Sequence, residues 1–119
     1  MSCFFEVRGH TVWNPALRVA EIYVAYVRCL EEIYGKPSGL GPIISDTVEI
    51  EADVFLEFIR HLMTAMTSSN HMILELELRP VIIPALVMLE RAGASAGLPG
   101  IEPLRSEIQT HARAMPDEP

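Results

Sequence analysis

Two pairs of residues in this chain are of a type and spacing able to hold a metal ion. Glu57 and His61 stand four apart, as do His71 and Glu75. Residues four apart share one face of a helix, and two such faces on adjacent antiparallel helices can form a carboxylate–histidine site. Helix geometry argues against it. With the first helix ending near Thr67, His61 lies about 9 Å before that end at 1.5 Å rise per residue. It is then level with Glu75 and not with His71, so the four do not converge. Solvated pairs are expected, with no metal and no cofactor.

A second constellation is the acidic run Asp46, Glu49, Glu51, Asp53 and Glu57, which contains no Lys or Arg before Arg60. Such carboxylates can act as general acid and base or bind a hard cation, but the ligand order and central Gly of a calcium loop are missing. Like-signed clustering fits docking of a basic protein better. The loop GKPSGLGP around Lys36 lacks the glycine spacings of the phosphate-binding motifs and is expected to shape a turn. No Gly-x-Ser-x-Gly elbow is present. Cys3 falls in an N-terminal strand and Cys29 on an apolar helix face, where a small buried hydrophobe is the usual outcome. No catalytic residue is therefore assigned. His10, Trp13, Tyr23 and Tyr26 could line a ligand pocket between the first helix and the sheet, although core packing accounts for the aromatics equally well.

The whole chain limits what these groups can serve. Its 119 residues fit one domain. Half of them are apolar and 21% are charged, which suits a tight core or a buried oligomer interface. A net charge of −7 disfavours nucleic acid and anionic lipid, both polyanions. The two cysteines form no Cys-x-x-Cys pair, and the start MSCFFEVRGH has no basic region ahead of an apolar one. The longest apolar run, 80–89, is about half the ~20 residues a membrane span needs. A cytoplasmic protein with reduced thiols is expected. Eight Arg against one Lys suggests a GC-rich bacterial genome.

The elements that must position these residues follow from periodicity. Runs 4–8 and 11–13 flank Gly9-His10 and predict a hairpin. Asn14-Pro15 reads as the cap and first residue of a helix that stops at Gly35. Arg18, Glu21, Arg28 and Glu32 form its one polar stripe, so it is expected either at the centre of the domain or as half of a dimer interface. Residues 47–51 alternate like a strand. A helix from near Asp53 carries Val54, Phe55, Phe58, Ile59, Leu62, Met63 and Met66 on one face. Residues 72–91 predict a third helix kinked by Pro80 and Pro84, although LELEL also suits a strand. The fold class is α+β: a small antiparallel sheet, the hairpin plus one strand, packed by three helices. A two-stranded or nearly all-helical version is the alternative. The compact domain is expected over 1–93, with 94–119 a linker, a short amphipathic helix and a disordered end.

The segments Val12-Trp13-Asn14-Pro15 and Pro37-Ser38-Gly39-Leu40-Gly41-Pro42, followed by Ile44-Ser45-Asp46, resemble short uncharacterised actinomycete proteins grouped as a domain of unknown function. The resemblance covers about 4–93 and implies no activity. The function expected from the residues is non-enzymatic binding of a basic protein through the acidic face, as an immunity protein, antitoxin or accessory subunit does. The alternative is a small enzyme or ligand-binding protein of specialised metabolism, and homo-oligomerisation through the first helix or the 80–84 segment stands beside both.

Overall fold

The computed structural model describes residues 1–95 and 98–118. β1 (Phe4–Val7) and β2 (His10–Trp13) form the expected hairpin. Its turn is Arg8-Gly9, with φ of 51° and 78°. A two-residue hairpin turn that follows the strand twist needs positive φ at both positions, and Gly satisfies the second. The turn therefore sits one residue earlier than expected, and His10 opens β2.

β3 (Thr47–Glu49) joins the free edge of β1, giving the order β2-β1-β3. It runs parallel to β1, so the sheet is mixed and not antiparallel throughout. The cause is connectivity. α1 (Leu17–Tyr34) and the loop after it carry the chain back before β3, the kind of long crossover that parallel neighbours require. Alternation along 47–51 specifies faces, and it is silent on direction.

α1 starts at Leu17 after Ala16, without a side-chain cap. Asn14 and Pro15 are engaged elsewhere: the Cys3 N–H donates to the Pro15 carbonyl at 2.9 Å, and the Asn14 N–H donates to the Pro116 carbonyl at 2.6 Å. The helix ends as expected at Gly35, whose left-handed conformation lets its N–H reach the Glu31 carbonyl. α2 (Ala52–Ser68) buries Phe55, Phe58, Ile59, Leu62, Met63 and Met66, with Val54 half-buried.

α3 (Met72–Arg91) is a helix from its first turn, LELEL included, and contains Pro80 and Pro84. Residues 81–89 are buried on every side. This helix, and not α1, is the centre of the domain: it packs against α1, α2, β2 and the C-terminal helix α4 (Arg105–Arg113). α1 buries only Ala20, Tyr23, Val24, Val27 and Leu30. The C-terminal segment is part of the same core, to which it contributes Leu98, Ile101, Leu104, Ile108 and Met115. Arg79 on α3 bonds Glu75 and, on α4, Glu107. Arg91 donates to the Val12 carbonyl at 2.9 Å and the Ala112 carbonyl at 3.1 Å, tying β2 to α4. Among the described residues no helix is long and apolar enough to cross a membrane.

Ile108 is 2% exposed against α3. Ile108→Ala is expected to cost about 2–4 kcal/mol in urea unfolding, the usual range for emptying a core site. A cost under about 0.5 kcal/mol, typical of surface positions, would mean that α4 is a loose appendage.

Candidate functional site

The Gly/Pro loop is built inward. Glu31 on α1 accepts bonds from the Ser38 N–H at 2.8 Å and the Ser38 hydroxyl at 2.5 Å. Arg28, one turn earlier, holds both oxygens of the same carboxylate at 3.1 Å. It also donates to the carbonyls of Leu40 and Gly41. The Leu40 N–H goes to Ser38 Oγ, the Gly41 N–H to the Glu49 carbonyl, and the Glu51 N–H to the Gly39 carbonyl. The amides of Ser38, Leu40 and Gly41 thus close the loop on itself, on α1 and on β3. Gly39 has φ of 83°, and a Cβ there would lie 2.7 Å from the Glu51 carbonyl oxygen.

The acidic residues are displayed on the outside of this construction. Glu49 and Glu51 are exposed and edge a hollow of about 520 Å³ together with Glu31. Asp53 and Glu57, also exposed, edge a neighbouring hollow of about 580 Å³ with Lys36, Arg60 and His61. Glu57 pairs with Arg60 at 3.3 Å. These four make one ribbon from β3 along α2. Asp46 stands apart at the other end of β3, with φ of 58° and its carbonyl accepting from the Phe4 N–H.

The Glu–His pairs do not converge. The His61 ring packs edge-on against Tyr34, centroids 5.2 Å apart, Glu75 bonds Arg79, and His71 is exposed just before α3. Among the described residues no group of three or more His, Cys, Asp or Glu is placed to hold an ion. Between α1 and the sheet the space is filled by rings: Phe5 lies 5.0 Å from Trp13 and 6.0 Å from Tyr23, and Trp13 lies 5.4 Å from Tyr23. The Tyr23 hydroxyl donates to the Val81 carbonyl at 2.9 Å, and burial holds it protonated. Trp13, Tyr23 and Tyr26 meet instead around an outer hollow of about 320 Å³ bordered by Val19, Ile22 and Pro84, which His10 does not line. Cys3 is buried, and its thiol is pushed up by burial and then by Asp46 and Glu21. Cys29, expected to be buried, is exposed.

The largest feature that sequence reasoning missed is apolar. Along α1, Val19, Ile22 and Ile33 are 47%, 61% and 71% exposed, and on the first turns of α3, Met72, Ile73 and Leu76 are 69%, 54% and 58% exposed. Between the two helices runs a groove of about 550 Å³, floored by Ile22, Tyr26, Cys29 and Ile33 and walled by Leu74 and Leu78. It continues into the 320 Å³ hollow, with which it shares Ile22 and Tyr26. The signal was present as the 3-4-3-4 spacing of Val19, Ile22, Tyr26, Cys29 and Ile33. It was masked because α1 is apolar around most of its circumference.

These features define a small α+β scaffold with an internally closed Gly/Pro loop and an uncovered apolar groove. The chain belongs to a family of unknown function, DUF6086, whose model matches residues 1–117 and so runs through α4, beyond the 4–93 of the expected resemblance. Comparison with curated proteins and with solved structures finds no match.

Two outcomes test the loop. Gly39→Ala is expected to cost more than about 2 kcal/mol, since a left-handed backbone and a collision act together. Gly35→Ala, with φ of 65° and open space around its Cβ position, should cost about 1 kcal/mol. Equal costs in urea unfolding would dismiss the close contact. Burial pushes the Glu31 carboxyl up, but the Ser38 and Arg28 bonds outweigh this and hold it below its ordinary value. A group depressed in the folded state contributes stability that is complete above its ordinary value and lost as pH falls through the folded one. Glu31→Gln should therefore lower stability at neutral pH and flatten the decline below pH 4.5. An unaltered pH profile would remove Glu31 from the acid limb.

Proposed function

We propose that this protein is a non-enzymatic binding module whose recognition surface is the apolar groove between α1 and α3. A groove walled by two helices is a natural seat for an amphipathic helix, which lays its apolar face into it. One observation carries the reading: Ile22 and Ile33 of α1 are 61% and 71% exposed and floor one groove, whose other wall is Leu74 and Leu78 of α3. Contiguous apolar surface of this kind marks interaction sites more often than it occurs by chance on monomers. The compositional signs of a bacterial, cytoplasmic setting fit a reduced Cys29 within that surface.

A second reading has its own support. The ribbon Glu49, Glu51, Asp53 and Glu57 is exposed and single-signed over β3 and the start of α2, which suits electrostatic docking of a basic protein. Such docking weakens as salt screens it, and apolar docking does not.

The two surfaces are separable by mutation. In quantitative recovery of bound proteins from native cell extract, Ile22→Asp with Ile33→Asp is expected to abolish association. Reversal of Glu49, Glu51 and Asp53 to Lys should leave it intact. The opposite pattern selects the acidic ribbon, and association indifferent to both sets would end both readings.

A further inference from the structure

We infer that the groove's occupant is a second copy of this chain, with α1 packed antiparallel against α1 of its partner about a two-fold axis beside Ala25. The inference rests on the groove being a docking surface and adds what fills it. Residues Val19, Ile22, Tyr26, Cys29 and Ile33 recur at alternating intervals of three and four, the spacing of a coiled-coil seam. The seam runs beside the core face of α1, which takes Ala20, Tyr23, Val24, Val27 and Leu30; Tyr26 reaches α3 from it, while Val19, Ile22, Cys29 and Ile33 are exposed. A helix with both a core face and an outward seam has one partner inside the chain and room for another outside.

The register follows from the residues flanking the seam on its open side: Arg18, Ala25 and Glu32, seven apart and all exposed. Antiparallel pairing about Ala25 puts Ala25 opposite itself, where a small side chain permits close approach. It sets Ile22 against Tyr26 of the partner and Val19 against Cys29 of the partner. It also sets Arg18 against Glu32 of the partner, and by symmetry this happens twice. Among the described residues Arg18 pairs only with Glu21, at 3.4 Å, with its side chain 84% exposed. In a parallel pairing Arg18 and Ala25 would instead face Tyr23 and Leu30 of the partner, which its own core takes, and neither Arg18 nor Glu32 would meet an opposite charge. A patch with a cation at one end, an anion at the other and a small residue midway is complementary to itself under two-fold rotation, as an isologous interface must be.

The fold agrees with this direction. α1 and α3 are antiparallel: the Tyr23 hydroxyl reaches Val81, and the Tyr26 hydroxyl reaches Glu77, earlier on α3. The exposed first turns of α3 therefore flank the C-terminal half of α1. In the proposed pair that half receives the N-terminal half of the partner's α1, so Leu74 and Leu78 add a wall to it.

The test is sedimentation velocity on the full chain across a micromolar concentration series. The wild type is expected to be a dimer, and Ile22→Asp a monomer with an unchanged circular-dichroism melting profile. Arg18→Glu and Glu32→Arg should each weaken dimerisation about tenfold, because each turns two attractive contacts into repulsive ones. The double variant should restore wild-type affinity. Oxidation of Val19→Cys should cross-link it to the native Cys29 of the partner. A monomeric wild type overturns the inference even if the groove binds another protein. A dimer that survives Ile22→Asp, or single reversals without effect, or a double variant that stays weak, overturns it as well.

Discussion

The burial of α3 is the constraint on which the other elements depend. Nine consecutive residues, 81–89, are shielded from water on all sides, including Pro84, which cannot donate a backbone bond. A helix that is apolar around its whole circumference must be wrapped completely, and no single element of this chain is wide enough to do so. α2 covers one flank, α4 another, and β2 and α1 the rest. α4 and the turn before it are therefore structural: without Leu104 and Ile108, one flank of α3 would face solvent. The same demand leaves α1 over-supplied. It covers its share of α3 and the sheet with five residues and still carries a second row of apolar side chains facing outward.

Two short segments hold the wrapping in register. Trp13 stacks in the core while the Asn14 amide reaches Pro116, so strand β2 is tied to the end of the chain. Ser38, Gly39 and Gly41 lock the long loop between α1 and β3 against the Glu31 carboxylate and the β3 backbone. The loop fixes where β3 begins, and with it the crossover that makes the sheet mixed. Both segments stand out in the sequence because their geometry tolerates few alternatives. The amides of Ser38, Leu40 and Gly41 are spent inside the fold, unlike those of a phosphate-binding loop.

Much of this fold was legible beforehand, and what was hidden has physical reasons. Gly35 announced the end of α1 because a left-handed closing residue favours glycine. The apolar face of α2 emerged from spacing alone. The LELEL segment was resolved as helix by the periodicity that continues through Leu78 and Ile82. The direction of β3 was not legible, since a strand's side-chain alternation is the same in either orientation. Asn14 misled because its backbone is drawn to the Pro116 carbonyl and the helix starts only after Ala16, so its buried side-chain oxygen caps nothing. The burial of α4 was hidden because a short helix with few apolar residues looks optional until a partner such as α3 needs covering. At the site, the aromatic cluster was legible as packing, and the exposed seam on α1 was lost among side chains that look alike until burial separates them.

That separation has a bearing on the acidic residues. Carboxylates on the outside of a fold are cheap to display, because water solvates them fully, and their clustering along β3 and α2 does not require a partner. Exposed Ile22, Ile33 and Leu76 are different: each leaves apolar area in water at about 25 cal/mol per Å², a cost that has no compensating hydration. Of the two surfaces, only the apolar one is unfavourable when uncovered, so it is the one whose existence calls for an occupant. In the proposed dimer, a negative ribbon elsewhere on the same molecule keeps copies apart except along the seam. There, Arg18 and Glu32 set opposite charges at the two ends of a contact that alanine allows to close.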